Sequence, residues 1–417
     1  MIKSITMENF HAFNKKVSLS LVADLRTKYL LSNSVFLDNK HVLKTSGIFG
    51  SNNTGKTSFI FGVGVIKEAL TKGKIDHCSS NLFSSDRISS FSIEFDNCDG
   101  NGWLRYDFSF DTEKKEFVSE KLTSLVSYKT GEREKVLFLR DIRKNIFSCC
   151  LPGVEANFKL ISPITSLLFG MVLENPEMEK WKKALVDAGN SIEILLMYNI
   201  PITKTINILK GNDEKKKELI LDFVKNADLS VDDFCYSPDS ANMHFEKEDA
   251  EINEQALAVQ AELMDMARLT TTYGGKKVPS LLFDSSGTKK IEAISSYIME
   301  AFQSGKTLFV DELDNGLHFK LTRSIVSLFN NLANQKGQLI FTTHDVALLD
   351  TKELMRKEQI WFAQKDKEGV TMKSLSSFTA KDGVREASDL IQAYNRGNFG
   401  SVPDPKFINT VIKLLKD

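Results

Sequence analysis

Apolar positions along this chain hold one spacing for a while and then change it. Over residues 1–150 they alternate with polar ones, as in FSIEFD from Phe91, LRYDFSFD from Leu104 and VLFLRD from Val136. A period of two marks half-buried strands. From about residue 170 to residue 268 the spacing becomes helical, in EMEKWKKALVDAG, EKKKELILDFVKNA and INEQALAVQAELMDMA. From Leu269 the two periods mix. LTTTYGGKKVPSLLF predicts a hairpin turning at Gly274-Gly275, with Leu281, Leu282 and Phe283 as a strand-like run. Ile291, Ile294, Ile298 and Phe302 then recur at helical spacing, before a strand (TLFVD), a helix (FKLTRSIVSLFNNLAN) and a strand (QLIFTTH). Such alternation implies a parallel sheet covered by helices. The expected organisation is one α/β domain in two halves, 1–150 and 269–417, parted by a mainly helical insertion over 151–268.

Composition narrows the class. A hydrophobic content of 42% against 26% charged residues supplies a core, and 417 residues suffice for one large domain or two to three ordinary ones. A net charge of −1 gives no global pull toward nucleic acid or an anionic membrane, and Lys215-Lys216-Lys217 reads as a solvated helix face. The longest apolar run, ITSLLFGMVL from Ile164, is far short of a spanning helix, and the opening MIKSITMENF alternates like a strand rather than a leader. Five cysteines without a CxxC spacing fit free thiols in a reducing cytoplasm, with Cys149 and Cys150 expected to be buried.

The first local chemistry is GSNNTGKT, Gly50 to Thr57, which fits G-x-x-x-x-G-K-[ST], the Walker A loop. VLKTSGIF before it reads as a strand and SFIFGVGVIKEAL after it as an apolar helix, the context such a loop needs. Its glycines let backbone N–H groups from Gly50, Ser51, Asn52, Asn53, Thr54 and Gly55 curl around phosphates. The helix N-terminus at Lys56, Thr57 and Ser58 adds partial positive charge. Lys56 is spaced to reach β- and γ-phosphates, and the Thr57 hydroxyl to bind Mg2+. NKKV at Asn14 and NKHV at Asn39 both lack the aspartate of a guanine-reading Asn-Lys-x-Asp motif. In TLFVDELDNGLH an apolar strand ends at Asp311-Glu312, setting Asp311 near the metal shell and Glu312 beside the attacking water as general base. QLIFTT ends at His344, an imidazole placed to hydrogen-bond a γ-phosphate; a His344-Asp345 metal site lacks partner histidines at ligand spacing.

Taken in order, the phosphate loop, long insertion, DSSGTKK (Asp284–Lys290), acidic strand and histidine resemble the ABC-type ATPase fold. The likeness is closer to the SMC/RecF/OLD branch and its small stand-alone ATPases. ITMENFHAF is similar to that branch's opening strand, and DSSGTKK to the signature motif through Ser286 and Gly287, with Thr288 where many members have a second glycine. LDNGLH is similar to the D-loop, carried by Asp314, and AYNRGNFGSVP to the closing segment of the stand-alone proteins. The resemblance covers roughly residues 1–110 and 270–405. It departs from the family at the Q-loop: no glutamine lies between Thr57 and Gln255, and Asn81 is the candidate stand-in. Other constellations read blandly. DNCDGNG (Asp96–Gly102) lacks the twelfth-position glutamate of a calcium loop and reads as a hairpin turn. Ile252, Ala256, Val259, Leu263 and Met266 span two heptads, enough for a packed helix but not a coiled-coil arm. DELD is better explained as a Walker B end than as a TOPRIM nuclease.

The resemblance implies an ABC-type P-loop ATPase head, a mixed or antiparallel β lobe plus a parallel α/β core with a helical insertion. It implies ATP and Mg2+ as cofactors and a head-to-tail dimer, in which Ser286 and Gly287 of one copy complete the other's ATP site. The implied role is a cytoplasmic, nucleotide-driven switch or scaffold controlling an effector such as a nuclease in antiphage defence. The alternative is a RecF/SMC-like repair or recombination ATPase that clamps DNA. A transporter subunit fits poorly with the missing Q-loop and the large insertion, and purely structural ATP binding fits poorly with Glu312. No membrane partner is expected.

Overall fold

The alternating phenylalanines of the first third fold into antiparallel strands in the computed structural model, which describes all residues except 25–28, 98–101, 129–130, 174, 228–229, 239–261, 367–368, 380–388, 401–406 and 415–417. Along the chain come β1 (Ile2–Glu8), β2 (Val17–Ser20), β3 (Ser34–Leu37), β4 (Lys40–Leu43) and the fully buried β5 (Thr45–Phe49). Helix α1 (Lys56–Lys72) precedes β6 (Ile88–Asp96), β7 (Trp103–Asp111), β8 (Glu116–Tyr128), β9 (Gly131–Asp141) and β10 (Ile146–Cys149). A seven-stranded antiparallel sheet takes the order β10-β9-β8-β7-β6-β1-β2. Phe91 pairs with Phe108, Ile93 with Tyr106 and Phe95 with Leu104, and the Phe91 and Phe108 rings stack 5.1 Å apart. Cross-strand aromatic pairs hold this pleated face together. Helix α1 comes very close to β1, since a Cβ at Gly62 would lie 2.6 Å from the Met7 sulfur. Cys149 is half-buried and Cys150 exposed, contrary to the expected pair of buried thiols, because they lie at the end of the edge strand β10.

Segment 151–268 contains α2 (Pro176–Asn190), α3 (Thr203–Lys210) and α4 (Glu214–Asn226), with 262–267 also helical. Of the heptad positions, Ile252, Ala256 and Val259 lie outside the described residues, as do 98–101 of the Asp96–Gly102 turn. Two strands, β11 (Ile192–Leu196) and β12 (Asp233–Tyr236), fall within the same segment. The expected hairpin is β13 (Leu269–Tyr273) and β14 (Lys276–Pro279), with Gly274 and Gly275 at φ 55° and 76°. Residues Leu281–Phe283 are not a strand: Ser280–Phe283 is one helical turn that leaves Leu282 and Phe283 exposed. Then follow α5 (Ser286–Ser304), β15 (Thr307–Asp311), α6 (Phe319–Asn330), β16 (Gln338–Thr343), β17 (Ile360–Asp366) and β18 (Gly369–Ser374).

The six-stranded core sheet runs β11-β15-β16-β5-β17-β18, parallel except for the last pair. Side-chain alternation divides each core strand between two apolar layers. Ile48, Phe309 and Ile340 join the core shared with α1 and the antiparallel sheet, while Phe49, Leu308, Val310, Leu339 and Phe341 join the one shared with α5 and α6. Burial on both faces is why these strands read as continuous apolar runs. Gln338 ties the two sheets together: its amide oxygen accepts the Ile2 N–H at 2.6 Å, and its nitrogen donates to the carbonyls of Ile2 and Leu43. Near the far end of the chain the Phe399 ring stacks on Phe362 at 4.2 Å. Among the described residues no helix is long and apolar enough to cross a membrane.

A buried ion pair fixes the β lobe. Arg140 Nε donates to Glu120 Oε2 at 2.8 Å; Glu120 also accepts the Tyr106 hydroxyl at 2.7 Å and the Leu167 N–H at 3.0 Å. Both charged side chains are almost wholly buried. Removing one partner leaves the other as an uncompensated buried charge, typically ~3–5 kcal/mol. Arg140→Ala is therefore expected to lower the unfolding free energy by about that amount, read as a lower urea midpoint, and a midpoint unchanged within error would remove the pair from the stability of the lobe.

Candidate functional site

Parallel strands end on the same side of a sheet, so residues just past their C-termini converge there, where open α/β sheets take their ligands. Phe49, Asp311 and Thr343 close the neighbouring strands β5, β15 and β16. The loop Gly50–Gly55, the pair Asp311-Glu312 and His344 thereby come to one edge.

The loop is tightly built. A Cβ at Gly50 would lie 2.7 Å from Thr54 Oγ1 and 2.8 Å from the Ala363 carbonyl. Asn53 takes φ 63° and Gly55 φ 84°, turning the chain into α1 without a side-chain cap. Ser51, Asn52 and Asn53 form the more open part of the loop, while Thr54 is buried and donates to the Ser51 carbonyl at 2.8 Å. Lys56, only 6% exposed, folds back on the loop, its Nζ donating to the carbonyls of Gly50 and Ser51, each at 2.9 Å. Burial lowers its ammonium to about 8, against the opposing influence of Asp311, Glu312 and Asp314. Ser58 continues the first turn of α1, half-buried.

Asp311 is 5% exposed and accepts two hydroxyl protons, from Thr57 at 2.8 Å and from Thr342 at 2.6 Å. With its proton so placed, the Thr342 oxygen accepts the Glu312 N–H at 2.7 Å. Glu312 sits at φ 54°, a left-handed conformation uncommon for a side-chain-bearing residue, and its Oε2 accepts from Asn315 Nδ2 at 3.0 Å. Asp314 accepts the backbone N–H of His344 at 3.2 Å. The half-buried His344 ring is held below its usual pKa by burial first and by Lys56 next, partly countered by Asp314 and Glu312. Thr57 and Asp311 offer a hydroxyl and a carboxylate side by side, hard oxygen donors suited to Mg2+, which keeps most of its own waters. No cluster of three or more metal-binding side chains occurs among the described residues, so His344-Asp345 does not form a site of that kind.

Ser285, not Ser286, caps α5, its hydroxyl accepting the Thr288 N–H at 3.1 Å. Ser286 is exposed and not used in the cap. Gly287 packs close to the turn after β15, where a Cβ would lie 3.1 Å from the Gly316 carbonyl. Lys290 joins the same turn through bonds to Asn315 O at 2.7 Å and Oδ1 at 2.8 Å. Asn81 is committed elsewhere: its amide donates to the His11 carbonyl and accepts the Phe83 N–H. Motif spacing alone assigns no role to Thr342, Asn315 or Lys290. A polar Thr342 inside the apolar run QLIFTT was the one signal available.

The fold and this edge define a P-loop ATPase of the α/β class. The chain belongs to the family described as "AAA domain, putative AbiEii toxin, Type IV TA system", whose model matches residues 46–350. A Helicobacter pylori (strain ATCC 700392 / 26695) protein named "ATP/GTP phosphatase" is 26% identical over 88 residues, 20% of this chain and only 23% of that protein's length. Two solved structures are similar in outline. An SMC head bound to the C-winged helix domain of ScpA gives a TM-score of 0.46 at 12% identity, covering 91% of this chain and 99% of that one. The SMC head domain from Thermotoga maritima gives 0.41 at 10% identity, covering 89% and 98%.

At Gly55 the left-handed φ opposes any side chain, and so do its neighbours: a Cβ there would lie 3.1–3.2 Å from side-chain carbons of Ala12, Val370 and Phe13. Gly55→Ala is expected to cost about 1–2 kcal/mol for the conformation alone, read as a lower denaturation midpoint. An unshifted midpoint would show the loop relaxing freely.

Proposed function

We propose that the protein binds and hydrolyses ATP with Mg2+ at this edge, and that two copies close head to tail around the nucleotide to act as a switch on an effector. The observation that supports it most is the continuous chain of contacts Lys56–loop, Thr57–Asp311–Thr342–Glu312 and Asp314–His344 at three adjacent strand ends. The loop N–H groups of residues 50–58 and the start of α1 hold the phosphates. Lys56 exchanges its two carbonyl partners for the β- and γ-phosphates. Thr57 and Asp311 hold Mg2+, which supplies charge neutralisation of the phosphates. Glu312, fixed through its backbone by Thr342, accepts the proton of the attacking water, and His344 hydrogen-bonds the γ-phosphate. Ser286, Gly287 and Asp314 serve the closed dimer, with the exposed Ser286 hydroxyl and the N-terminus of α5 offered to the partner's nucleotide. Outside the core strand β11, residues 151–268 would serve as a lid, as an oligomerisation surface or as the region that binds a partner such as a nuclease. The family's toxin–antitoxin description supports a defence setting for that control.

Two experiments bear on this reading. Glu312→Gln is expected to keep ATP affinity while losing roughly 10²–10⁴-fold in turnover, whereas Lys56→Ala loses binding itself; a Glu312→Gln protein hydrolysing at the parental rate would shift the base elsewhere. In the Glu312→Gln background, ATP should promote cross-linking between heads. Adding Ser286→Arg should abolish it by bulk and misplaced charge while each chain still binds nucleotide. Normal closure with Ser286→Arg would leave this residue outside the ATP site.

A further inference from the structure

Helix α5, which begins at the exposed Ser286, also carries a buried acid that the ATP site does not use. Glu292, on α5, is 0% exposed, and neither of its carboxyl oxygens makes a hydrogen bond of good geometry, although the side chain interacts with Asp284 and Thr271. Eight residues earlier, Asp284 leads directly into the cap of α5 and is 6% exposed. Asp284 is strapped to β13: its Oδ2 accepts the Thr271 hydroxyl at 2.6 Å and its Oδ1 the Tyr273 hydroxyl at 2.8 Å. Thr271 also lies 2.6 Å from the Ser280 hydroxyl, and since its one proton goes to Asp284, Ser280 donates to it. The α5 entry is therefore anchored through one carboxylate to the small sheet β12-β13-β14, with a second carboxyl, that of Glu292, buried within reach of Asp284 and Thr271.

We propose that Asp284 and Glu292 form a positioning pair that fixes the entry of α5 and so sets how Ser286 and Gly287 are presented to the partner's nucleotide. This rests on the reading of those two residues as contacts made across the dimer. An ionised carboxylate without an opposite charge paired to it is expensive to bury. Burial accordingly raises the Glu292 carboxyl well above its usual range, the charge of Asp284 adds to this, and Lys289 opposes it in part. Tyr273, on the facing strand β13, is raised by burial first and by Asp284 and Glu292 next, so it stays a neutral donor. Glu292 thus keeps its proton at pH values where exposed glutamates have lost theirs, and offers an O–H toward Asp284. Ionisation at higher pH would set two carboxylates against each other at the start of α5.

A carboxyl whose pKa is raised by folding weakens the folded state as pH rises from the unfolded value, near 4.3, toward the folded one. Glu292→Gln, which keeps a neutral donor of the same shape, is therefore expected to melt with the parental chain near pH 4.5 and increasingly above it at higher pH.

The test pairs two readouts on the full chain. In the nucleotide-free protein, amide hydrogen exchange at residues 285–288, corrected for intrinsic rate, is followed from pH 4.5 upward, across the whole range in which the parental chain stays folded, in the parental chain, Glu292→Gln and Glu292→Leu. Parental protection is expected to fall with pH, Glu292→Gln to stay flat, and Glu292→Leu to be low throughout. In the Glu312→Gln background, Glu292→Leu is expected to need roughly tenfold more ATP for head closure with unchanged nucleotide affinity of the single chain, and Glu292→Gln to restore the parental value. Identical protection and melting profiles in parental and Glu292→Gln chains would overturn the pair, and they decide alone if Glu292→Leu does not fold. Altered protection with unaltered closure would overturn its positioning role. Closure that ignores Ser286→Arg would instead remove the trans reading, whatever the amides show.

Discussion

The carboxylate of Asp311 joins three elements that are far apart in sequence. It stands at the end of β15, accepts a hydrogen bond from the Thr57 hydroxyl on α1, and accepts another from the Thr342 hydroxyl on β16. Charge-assisted hydrogen bonds of this kind are short and directional, so they set where α1 begins relative to the strand ends as well as how strongly it is held. The loop before α1 inherits that placement, and so does Glu312, whose N–H rests on the same Thr342 hydroxyl. A phosphate loop is generic; its registration against an acidic strand is what this carboxylate provides.

Around that junction the molecule concentrates its unfavourable features. Lys56 is buried and its ammonium depressed, Glu312 is held left-handed, and the His344 ring is held below its usual pKa. Each is tolerated because the sheet below is apolar on both faces and does not yield. Strain and desolvation at strand ends are typical of sites whose groups must meet charge that arrives from outside.

The parts legible in the sequence were those with strict local spacing. Gly50–Thr57, Asp311-Glu312 and His344 each follow an apolar strand, and that pattern brought all of them to one edge. The antiparallel lobe was legible because its phenylalanines repeat at period two. What was missed depends on neighbours brought in by the sheet. Thr342 matters only because β16 lies beside β15, and Lys290 only because α5 crosses the turn at Asn315. The five apolar-rich residues of β11 read equally well as part of a helical region, since so short a run carries no periodicity of its own. Ser280–Phe283 became a turn because Ser280 is drawn to Thr271, a contact the apolar run could not announce.

The strand order has a consequence in time. β5 carries the phosphate loop and is complete by residue 49, yet both of its partners in the core sheet, β16 and β17, lie beyond residue 337. Ile2 likewise waits for Gln338. At synthesis rates of about 5–20 residues per second, some 290 residues separate the loop from its supports, a delay of roughly 15–60 s. Throughout that interval the antiparallel lobe has its own neighbours at hand, while β5 exposes two unpaired edges and the side chains of Ile48 and Phe49. The nascent chain thus carries this strand without its neighbours for most of its synthesis, and the loop gains its lateral supports only when β16 and β17 arrive.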